Sequence, residues 1–257
     1  MIRALWWEVS HHTRVFWRVP VAAFFTVAFP LMFLVLFNLL NGDATIETLG
    51  GLAFSQFFTP AIAVFSIVTA CYTNLVITTS LDREEGILKR VLGTPLAPSV
   101  YIGGRVAAAS GIGLFSVIVM FVVGVVAFDV RVLWDRLPLA FLVLVVGAAA
   151  WSALALAVAG LTASGQAAPA IANATILPLA FISGIFFPVE SGPEWLATVA
   201  GVFPLRPFVS AFSEQWNPLV DPTFPLADLT VLVAWGLVGA GVAVRRFTWE
   251  PGRRVRS

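Results

Sequence analysis

The chain has 257 residues, of which 59% are hydrophobic and 11% are charged, and its formal net charge is +1. Its mean hydropathy is +0.94, whereas about a quarter of the residues of a soluble domain are charged. A soluble globular protein is therefore excluded, because the chain cannot cover itself with a polar surface. The single cysteine, Cys71, also excludes an intrachain disulfide.

The charges lie in the gaps between six apolar segments, and their sign alternates from one gap to the next. Gaps on one side hold 12 of the 15 basic and 5 of the 14 acidic residues, a net charge of +7, and the other gaps hold the remainder, a net charge of −6. Because cytoplasmic loops are enriched in Lys and Arg, this pattern predicts six crossings with both termini in the cytoplasm. The expected fold is an all-α integral membrane protein with one transmembrane domain, residues 1–257.

The first 18 residues are predicted to form an amphipathic helix. Trp6 and Phe16 lie on one face at helical spacing, and Arg3 and Arg14 lie on the other. A helix of this composition lies flat at the membrane interface, so residues 1–18 are expected to form an interfacial anchor before the first span.

Six uncharged segments follow, each close to the length of about 20 residues that a bilayer crossing needs. The predicted spans are residues 20–40, 57–79, 106–128, 138–160, 168–187 and 226–245. The fourth and fifth lie in one uncharged stretch, and the turn between them is placed at residues 161–169, where Ser, Gly, Gln and Pro cluster. The turn carries no charge, so the side of the membrane on which it lies follows only from the number of crossings that precede it.

Residues 188–225 are predicted to lie outside and hold seven of the sixteen prolines. Between Pro193 and Pro204 runs a short apolar stripe that includes Trp195 and Phe203. This stripe is too short to span a bilayer and too apolar to stand free in water. We therefore expect a short helical segment that lies in the outer interface or re-enters the membrane.

The spans lack the residues that membrane chemistry requires. No Asp, Glu, Lys, Arg or His lies in the middle of any span, which argues against ion-coupled carriers and intramembrane hydrolases. No metal-ligand spacing is present, and the only lysine, Lys89, is not in a phosphate-binding loop. We predict no catalytic residue and no metal site, and no ATP hydrolysis by this chain.

Polar and aromatic side chains in the spans have two possible roles. Hydrogen bonding between helices is the more common role of polar residues there, and lining a substrate path is the alternative. The candidates for such a path are Asn38, Asn74, Asn173, Phe181 and Phe186.

The densest charge cluster lies between the second and third spans, in the sequence LDREEGILKRVLGTPLAPSVYIGGR, residues 81–105. Charged and apolar residues alternate there at helical spacing, and Pro95 and Pro98 follow them. This pattern predicts a cytoplasmic amphipathic helix over residues 82–98. Two interpretations remain open from composition: a helix that docks into a soluble partner, and a solvated loop that only holds the topology.

At this loop the chain resembles the permease subunits of ABC-2 type transporters, in particular the daunorubicin-resistance-like bacterial exporters. Three stretches carry the resemblance: REEGILKRVLGTPL (residues 83–96), ILPLAFISGIFFPVE (residues 176–190) and PEWLATVAGVFPLRPFVSAF (residues 193–212). They are similar to the family's coupling loop after the second span, its fifth span and its outer re-entrant segment. Their order and the six-span layout cover essentially the whole chain.

The resemblance implies a half-transporter in a bacterial plasma membrane. Two permeases, identical or paralogous, would pair, and two separate ATPase subunits, which hold ATP and magnesium, would dock on their coupling helices. The expected contact residues are Asp82, Arg83, Glu84, Glu85, Gly86, Leu88, Lys89, Arg90, Thr94 and Pro95. The cargo would be an amphipathic, drug-like or lipid-linked molecule moved outward, as in antibiotic resistance, and no nucleic acid would be involved.

Two other functions remain as alternatives. The chain could be a non-transporting assembly or sensor subunit that docks a cytoplasmic partner through residues 82–98. A membrane enzyme of lipid metabolism is a third possibility, which the missing catalytic constellation disfavours.

Overall fold

The computed structural model describes residues 2–42, 44–189 and 193–249. Residues 190–192 of the predicted outer segment and the basic tail from residue 250 onward lie outside the described residues. Within these described ranges, six helices are long and apolar enough to cross a membrane, in agreement with the expected all-α membrane fold. We number them span 1 (Pro20–Asn41), span 2 (Phe54–Glu84), span 3 (Pro98–Phe128), span 4 (Trp134–Leu161), span 5 (Gly165–Ile182) and span 6 (Leu226–Arg246).

The chain begins with a separate helix, Ile2–Arg18, which packs along span 3. Span 1 follows after one residue and contains a π-helical turn at Phe24–Ala28. Pro30 explains this turn, because a proline inside a helix has no N–H to donate and its ring clashes with the carbonyl four residues earlier. Span 1 lies at the edge of the bundle, and only 17% of it is buried.

A short hairpin connects spans 1 and 2. Strand Thr45–Ile46 pairs antiparallel with strand Leu52–Ala53, and a 3₁₀ turn at Glu47–Leu49 lies between them. Gly50 and Gly51 both have positive φ angles, 71° and 83°, which glycine adopts without strain.

Span 2 is the central helix of the bundle. It runs as α-helix over Phe54–Val68, as π-helix over Thr69–Asn74 and again as α-helix over Leu75–Glu84. Of its most apolar segment, 78% is buried. The backbone of span 3 lies close to span 2 at Gly113, because glycine has no side chain there: a Cβ at this position would lie 2.6 Å from Ile67 of span 2.

The predicted helix over residues 82–98 is divided in the structure. Span 2 continues to Glu84 and is followed by a turn in which Gly86 has a positive φ of 74°. A six-residue helix then runs from Ile87 to Leu92. Span 3 begins at Pro98, earlier than the predicted residue 106, because proline is well suited to the first turn of a helix. Arg105 therefore lies within the helix rather than before it.

Spans 4 and 6 pack tightly against each other. A 3₁₀ turn at Trp134–Arg136 leads into the α-helix Leu137–Leu161 of span 4. A Cβ at Gly236 would lie 3.1 Å from Ala150, and one at Gly239 would lie 2.8 Å from the backbone of Leu154. Small residues on span 6 thus allow the two backbones to come close.

Span 5 begins with a 3₁₀ turn at Gly165–Ala167 and continues as the α-helix Ala168–Ile182. It ends before the predicted residue 187, because the chain turns at Gly184 with a φ of 88°. Its buried residues are small for the most part and repeat every fourth position: Ala168, Ala172, Ile176 and Ala180.

Two short helices, Glu194–Val202 and Leu205–Glu214, lie between spans 5 and 6. Residues 195–202 and 205–214 are bent by 99° relative to each other. The first helix contains most of the predicted apolar stripe, and its Trp195 is exposed. The second helix enters the core, which the sequence did not predict. Its Phe208 packs over Gly147 of span 4, where a Cβ would lie 2.2 Å from the ring.

The connections sort to two ends of the bundle as the charge pattern predicts. At one end, which we call the outer end after the predicted orientation, Gln56 bonds to Arg131, and Arg136 donates to the carbonyl of Asn217 at 2.8 Å. At the other, the inner end, Arg83 and Glu84 contact the turn between spans 4 and 5. The uncharged turn at residues 161–169 therefore lies on the same side as the charged loop, as parity required.

Candidate functional site at the inner end

The inner end brings four parts of the chain together. They are the N-terminal helix, the loop with the flanking helix ends (residues 81–105), the turn between spans 4 and 5, and the residues that follow span 6. Three consecutive charged residues, Asp82, Arg83 and Glu84, form the last turn of span 2. Because neighbouring helix positions point in different directions, these three side chains contact three different partners.

Asp82 is paired with span 3. Its Oδ2 accepts hydrogen bonds from Nη1 of Arg105 at 2.6 Å and from the hydroxyl of Tyr101 at 3.3 Å. The same guanidinium nitrogen donates to the Tyr101 oxygen at 3.2 Å. Arg105 is almost completely buried, so this ion pair is shielded from water and fixes the end of span 2 to the first turns of span 3.

Arg83 caps the end of span 4. Its buried guanidinium donates to the carbonyl of Ala159 at 2.7 Å and to the carbonyl of Thr162. The last carbonyls of a helix have no partner within the helix and carry partial negative charge. The guanidinium of Arg83 supplies hydrogen-bond donors to these carbonyls and a positive charge beside their partial negative charge. This explains how a charged side chain is tolerated in this buried position.

Glu84 caps the start of span 5. Its Oε2 accepts a hydrogen bond of 2.6 Å from the backbone N–H of Gly165, the first residue of that span. A carboxylate is favourable at the positive end of a helix. A Cβ at Gly165 would lie 2.7 Å from this carboxylate oxygen, so the close approach depends on glycine.

The remaining residues of the predicted contact set lie further along the loop. Gly86 provides the turn with positive φ, and Leu88 is fully buried beneath the short helix. Its side chain therefore fastens that helix to the bundle. The exposed members of the set are Glu85, Lys89, Arg90, Thr94 and Pro95.

A cavity of about 690 Å³ lies between the N-terminal helix, spans 2 and 3 and the loop. His12 lines it, with its ring edge-on to Tyr101 at 5.3 Å and its Nε2 at 3.5 Å from the carboxylate of Glu8. Burial lowers the pKa of His12 to about 3, and the neighbouring Arg105 and His11 act in the same direction. His12 is therefore neutral at physiological pH.

The five residues proposed for a substrate path do not converge on one pocket. Asn74 lines the inner cavity, and Asn38 lines a second cavity of about 590 Å³ at the outer end. Asn173 and Phe181 are exposed on span 5. Phe186 belongs to an aromatic cluster with Phe33, Phe37, Phe65 and Phe181.

Asn38 also serves as an intrahelical hydrogen-bond donor, since its amide donates to the carbonyl of Leu34 at 2.8 Å. Its Oδ1 is buried and makes no hydrogen bond to any residue that the structure describes. Asn38 thus makes a hydrogen bond within its own helix rather than between helices, and it also lines a cavity.

Comparison with known proteins agrees with this arrangement. The model of the ABC-2 type transporter family matches residues 3–215, which include the inner-end loop and spans 1 to 5. The chain belongs to the ABC-2 type transporter family. It is also similar to the candidate transport permease YvfS of Bacillus subtilis (strain 168), with 23% identity over 183 residues that cover 71% of this chain and 73% of the relative.

As a member of this family, the permease is the membrane component of a transporter and not its catalytic subunit, and ATP is hydrolysed by a separate subunit. The family and the six apolar helices together make the permease a multi-pass membrane protein. The expectations of an ABC-2 permease and of a non-enzymatic chain are thus confirmed.

Sequence reasoning assigns Asp82, Arg83 and Glu84 to the permease's contact surface, which stays a prediction. In the structure Arg83 is buried, Asp82 and Glu84 are half-buried, and all three are hydrogen-bonded within the bundle. One signal was present in the sequence: Arg83 directly continues an apolar span, and a charge at that depth needs a buried partner. Arg105 directly precedes the predicted start of span 3 at residue 106, and its sign indicates an acidic partner. Asp82 and Glu84 both lie at the matching end of span 2, so sign alone could not choose between them.

Proposed function

We propose that this chain is the permease half of an ATP-driven exporter. In this proposal a separate ATPase subunit docks on the exposed face of the inner loop, formed by Glu85, Lys89, Arg90, Thr94 and Pro95. A second permease, identical or paralogous, pairs with this one in a bacterial plasma membrane. ATP and magnesium are bound by the ATPase subunits, and the cargo is an amphipathic molecule moved outward.

The observation that carries the proposal is that the inner loop is attached to several spans by side-chain contacts. The short helix Ile87–Leu92 presents charged residues to solvent while Leu88 anchors it from below. Directly before it, Arg83 and Glu84 hold the end of span 4 and the start of span 5. A solvated loop that only connects two spans needs none of these contacts.

Movement of a docked ATPase would therefore reach several spans at once. A displacement of the loop acts on span 3 through Asp82 and Arg105, and on spans 4 and 5 through Arg83 and Glu84. These contacts are charge-assisted and partly or fully buried, so they are stronger than ordinary surface pairs. We propose that they transmit ATPase closure to span 5 and open the interface between the two permeases.

The outer end supports release on the opposite side. The two outer helices are bent by 99°, and the second is buried against span 4. We propose that they form a re-entrant segment which closes the outer end of the path until the spans separate. The outer cavity lined by Asn38 would then receive the cargo.

The first experiment captures the tagged permease from host membranes in a mild detergent. We expect a stoichiometric soluble protein with a GxxxxGK[ST] sequence, and we expect vanadate-sensitive ATPase activity in the captured complex. Reversing the loop charges with Glu85→Lys and Arg90→Glu should remove that subunit, because both residues are exposed on the proposed docking face.

Glu47→Lys is the matched control, since Glu47 is an exposed carboxylate at the outer end. It should leave the captured ATPase unchanged. Retention of the ATPase by the double variant, with thermal unfolding like that of the unaltered permease, would show that this face is not the docking surface.

A further inference from the structure

The inner cavity combines a charged end with an apolar end. Arg105 and Ile112 both line it and lie seven residues apart in one helix of span 3, a separation of about 10 Å at 1.5 Å per residue. The lining near Arg105 is polar, with Glu8, Asp82 and Tyr101. The lining near Ile112 is apolar or small, with Phe16, Val19, Ala22, Leu75 and Ala109.

The polar end carries negative charge, although the inner side of the chain is basic. Three carboxylates line the cavity, those of Glu8, Asp82 and Glu85, and among the described residues Arg105 is the one Lys or Arg in its lining. Two histidines, His11 and His12, also line it, and His12 is neutral. Counted over the Asp, Glu, Lys and Arg residues that the structure describes, the lining has a formal net charge of −2, whereas the loops of this side sum to +7.

Two buried nitrogens of residues that line the cavity, Nε of Arg105 and Nε2 of His12, have no hydrogen-bond partner among the described residues. Arg105 is only 5% exposed, its Nη1 is bonded to Asp82 and Tyr101, and its Nε makes no hydrogen bond to any residue within the described parts of the chain. A buried N–H without an acceptor costs about 1–3 kcal/mol. This donor needs an oxygen acceptor that none of the described residues supplies.

The size and position of the cavity suit a membrane-derived ligand. Its volume of about 690 Å³ lies in the range of small-molecule sites, roughly 300–1,000 Å³. One wall is the N-terminal helix, whose Trp6, Trp7 and Trp17 are exposed, as in helices that lie at a membrane interface. An amphipath in the adjoining leaflet would therefore be at the level of the cavity.

We infer that this cavity binds an amphipathic amine that carries an oxygen acceptor beside the amine. The protonated amine lies against Glu8 and Glu85, the oxygen accepts from Nε of Arg105, and the hydrocarbon chain extends along Phe16 and Ile112. Two sources share this chemistry: an aminophospholipid such as phosphatidylethanolamine, and a free long-chain amino alcohol such as sphingosine. The inference concerns binding to the permease alone and does not rest on the proposed docking or on export.

The test is native mass spectrometry of the purified permease, without any ATPase, in a neutral detergent. Four probes are added separately at equal concentration: phosphatidylethanolamine, sphingosine, phosphatidylcholine, which has no N–H, and phosphatidylglycerol, which has no amine. We expect one or both of the first two to be retained well above the last two. Retention of phosphatidylethanolamine alone identifies a membrane lipid as the ligand, and retention of sphingosine alone identifies a free amine.

Glu8→Gln is the decisive variant, because it removes a charge and keeps the shape of the side chain, and because Glu8 lies outside the proposed docking face. We expect it to weaken binding of the retained probe by about tenfold, as for loss of a partly desolvated charge partner. Glu47→Gln removes the same charge at the outer end and should bind as the unaltered permease does. Equal retention of all four probes, or equal binding by the two variants, would refute the inference.

A second measurement does not depend on any variant. Sphingosine with a photoreactive diazirine in its chain is bound to the unaltered permease, irradiated, and located by peptide mapping. The adducts are expected in the apolar part of the lining, on residues 15–22, on Leu75 or on residues 109–112. Adducts confined to the lipid-exposed faces of spans 4 and 6 would place the amine elsewhere and overturn the assignment.

Discussion

Spans 2 and 5 differ in where they place their polar side chains. Span 2 is the most buried of the six, at 78%, and it hides Thr59, Ser66 and Thr79 inside the bundle. Span 5 has the lowest mean hydropathy of the six, yet only 28% of it is buried. Its Asn173 is exposed, and so is Phe181.

The difference indicates what each helix faces. Within a bilayer, packing and hydrogen bonding rather than hydrophobicity bring helices together, so polar side chains collect inside and apolar ones face lipid. Span 2 keeps its polar side chains inside, because none of its residues is exposed. Span 5 departs from the rule, because only 28% of this least apolar helix is buried. A second permease or a water-containing path on that side would restore the rule, which is the arrangement proposed above.

The largest expected effect comes from breaking the charged end of span 2. Arg83→Met keeps the length of the side chain but leaves the carbonyls of Ala159 and Thr162 without their donor. We expect the free energy of unfolding to fall by about 3 kcal/mol, since hydrogen bonds to a buried charged group are worth about 1.5–3 kcal/mol and a buried acceptor is left unpaired. Thermal unfolding of the purified permease measures this loss.

Arg14→Met is the matched control, because Arg14 is an exposed arginine of the same end, and it should leave the unfolding temperature unchanged. Arg83→Met should also abolish ATP-driven transport while the ATPase still co-purifies, since the exposed part of the loop is not altered. If Arg83→Met were as stable as Arg14→Met, the hydrogen bonds from Arg83 to the end of span 4 would not contribute to the free energy of unfolding.

Sequence reasoning predicted the number of spans, because each is a long uncharged run. It also predicted which loops share an end, since the loop charges alternate in sign. It could not predict which helix is central, because spans 1 and 2 are both long and apolar and burial depends on how the helices pack against one another. It also missed the burial of Leu88 and the entry of Phe208 over Gly147, since both depend on contacts between residues distant in sequence.

A smaller effect is expected at the other end of span 2. Gln56 is buried, donates to the carbonyl of Arg131 at 3.0 Å and accepts from the backbone N–H of the same residue at 2.8 Å. Its amide also donates to the carbonyl of Trp216. Gln56→Leu leaves these backbone groups unpaired, so we expect a loss of about 2 kcal/mol in the free energy of unfolding.

The control for this prediction comes from span 5. Gln166 is an exposed glutamine in the first turn of that span, and Gln166→Leu should change stability by less than about 0.5 kcal/mol. The pair of variants compares the same chemical change in a buried and an exposed setting. Equal unfolding temperatures for both would contradict the central position of span 2.

The smallest effect on stability is expected at Asn173, and it is the most informative about span 5. Asn173→Leu removes an exposed amide, so the free energy of unfolding should change by less than about 0.5 kcal/mol. If this face borders a water-containing path between two permeases, ATP-driven transport should nevertheless fall. Stability and function would then separate at this position, in contrast to Arg83, where both are lost.

Cysteine labelling distinguishes a wet face from a lipid face directly. In a Cys71→Ser background, Asn173→Cys should react with a water-soluble maleimide that does not enter lipid. Ser66→Cys, at a fully buried position of span 2, should not react. Labelling of residue 173 only by a lipid-soluble maleimide would mean that the polar face of span 5 is turned to the bilayer. The proposed pairing across that face would then have to be abandoned, because no water or partner would be needed to explain its exposure.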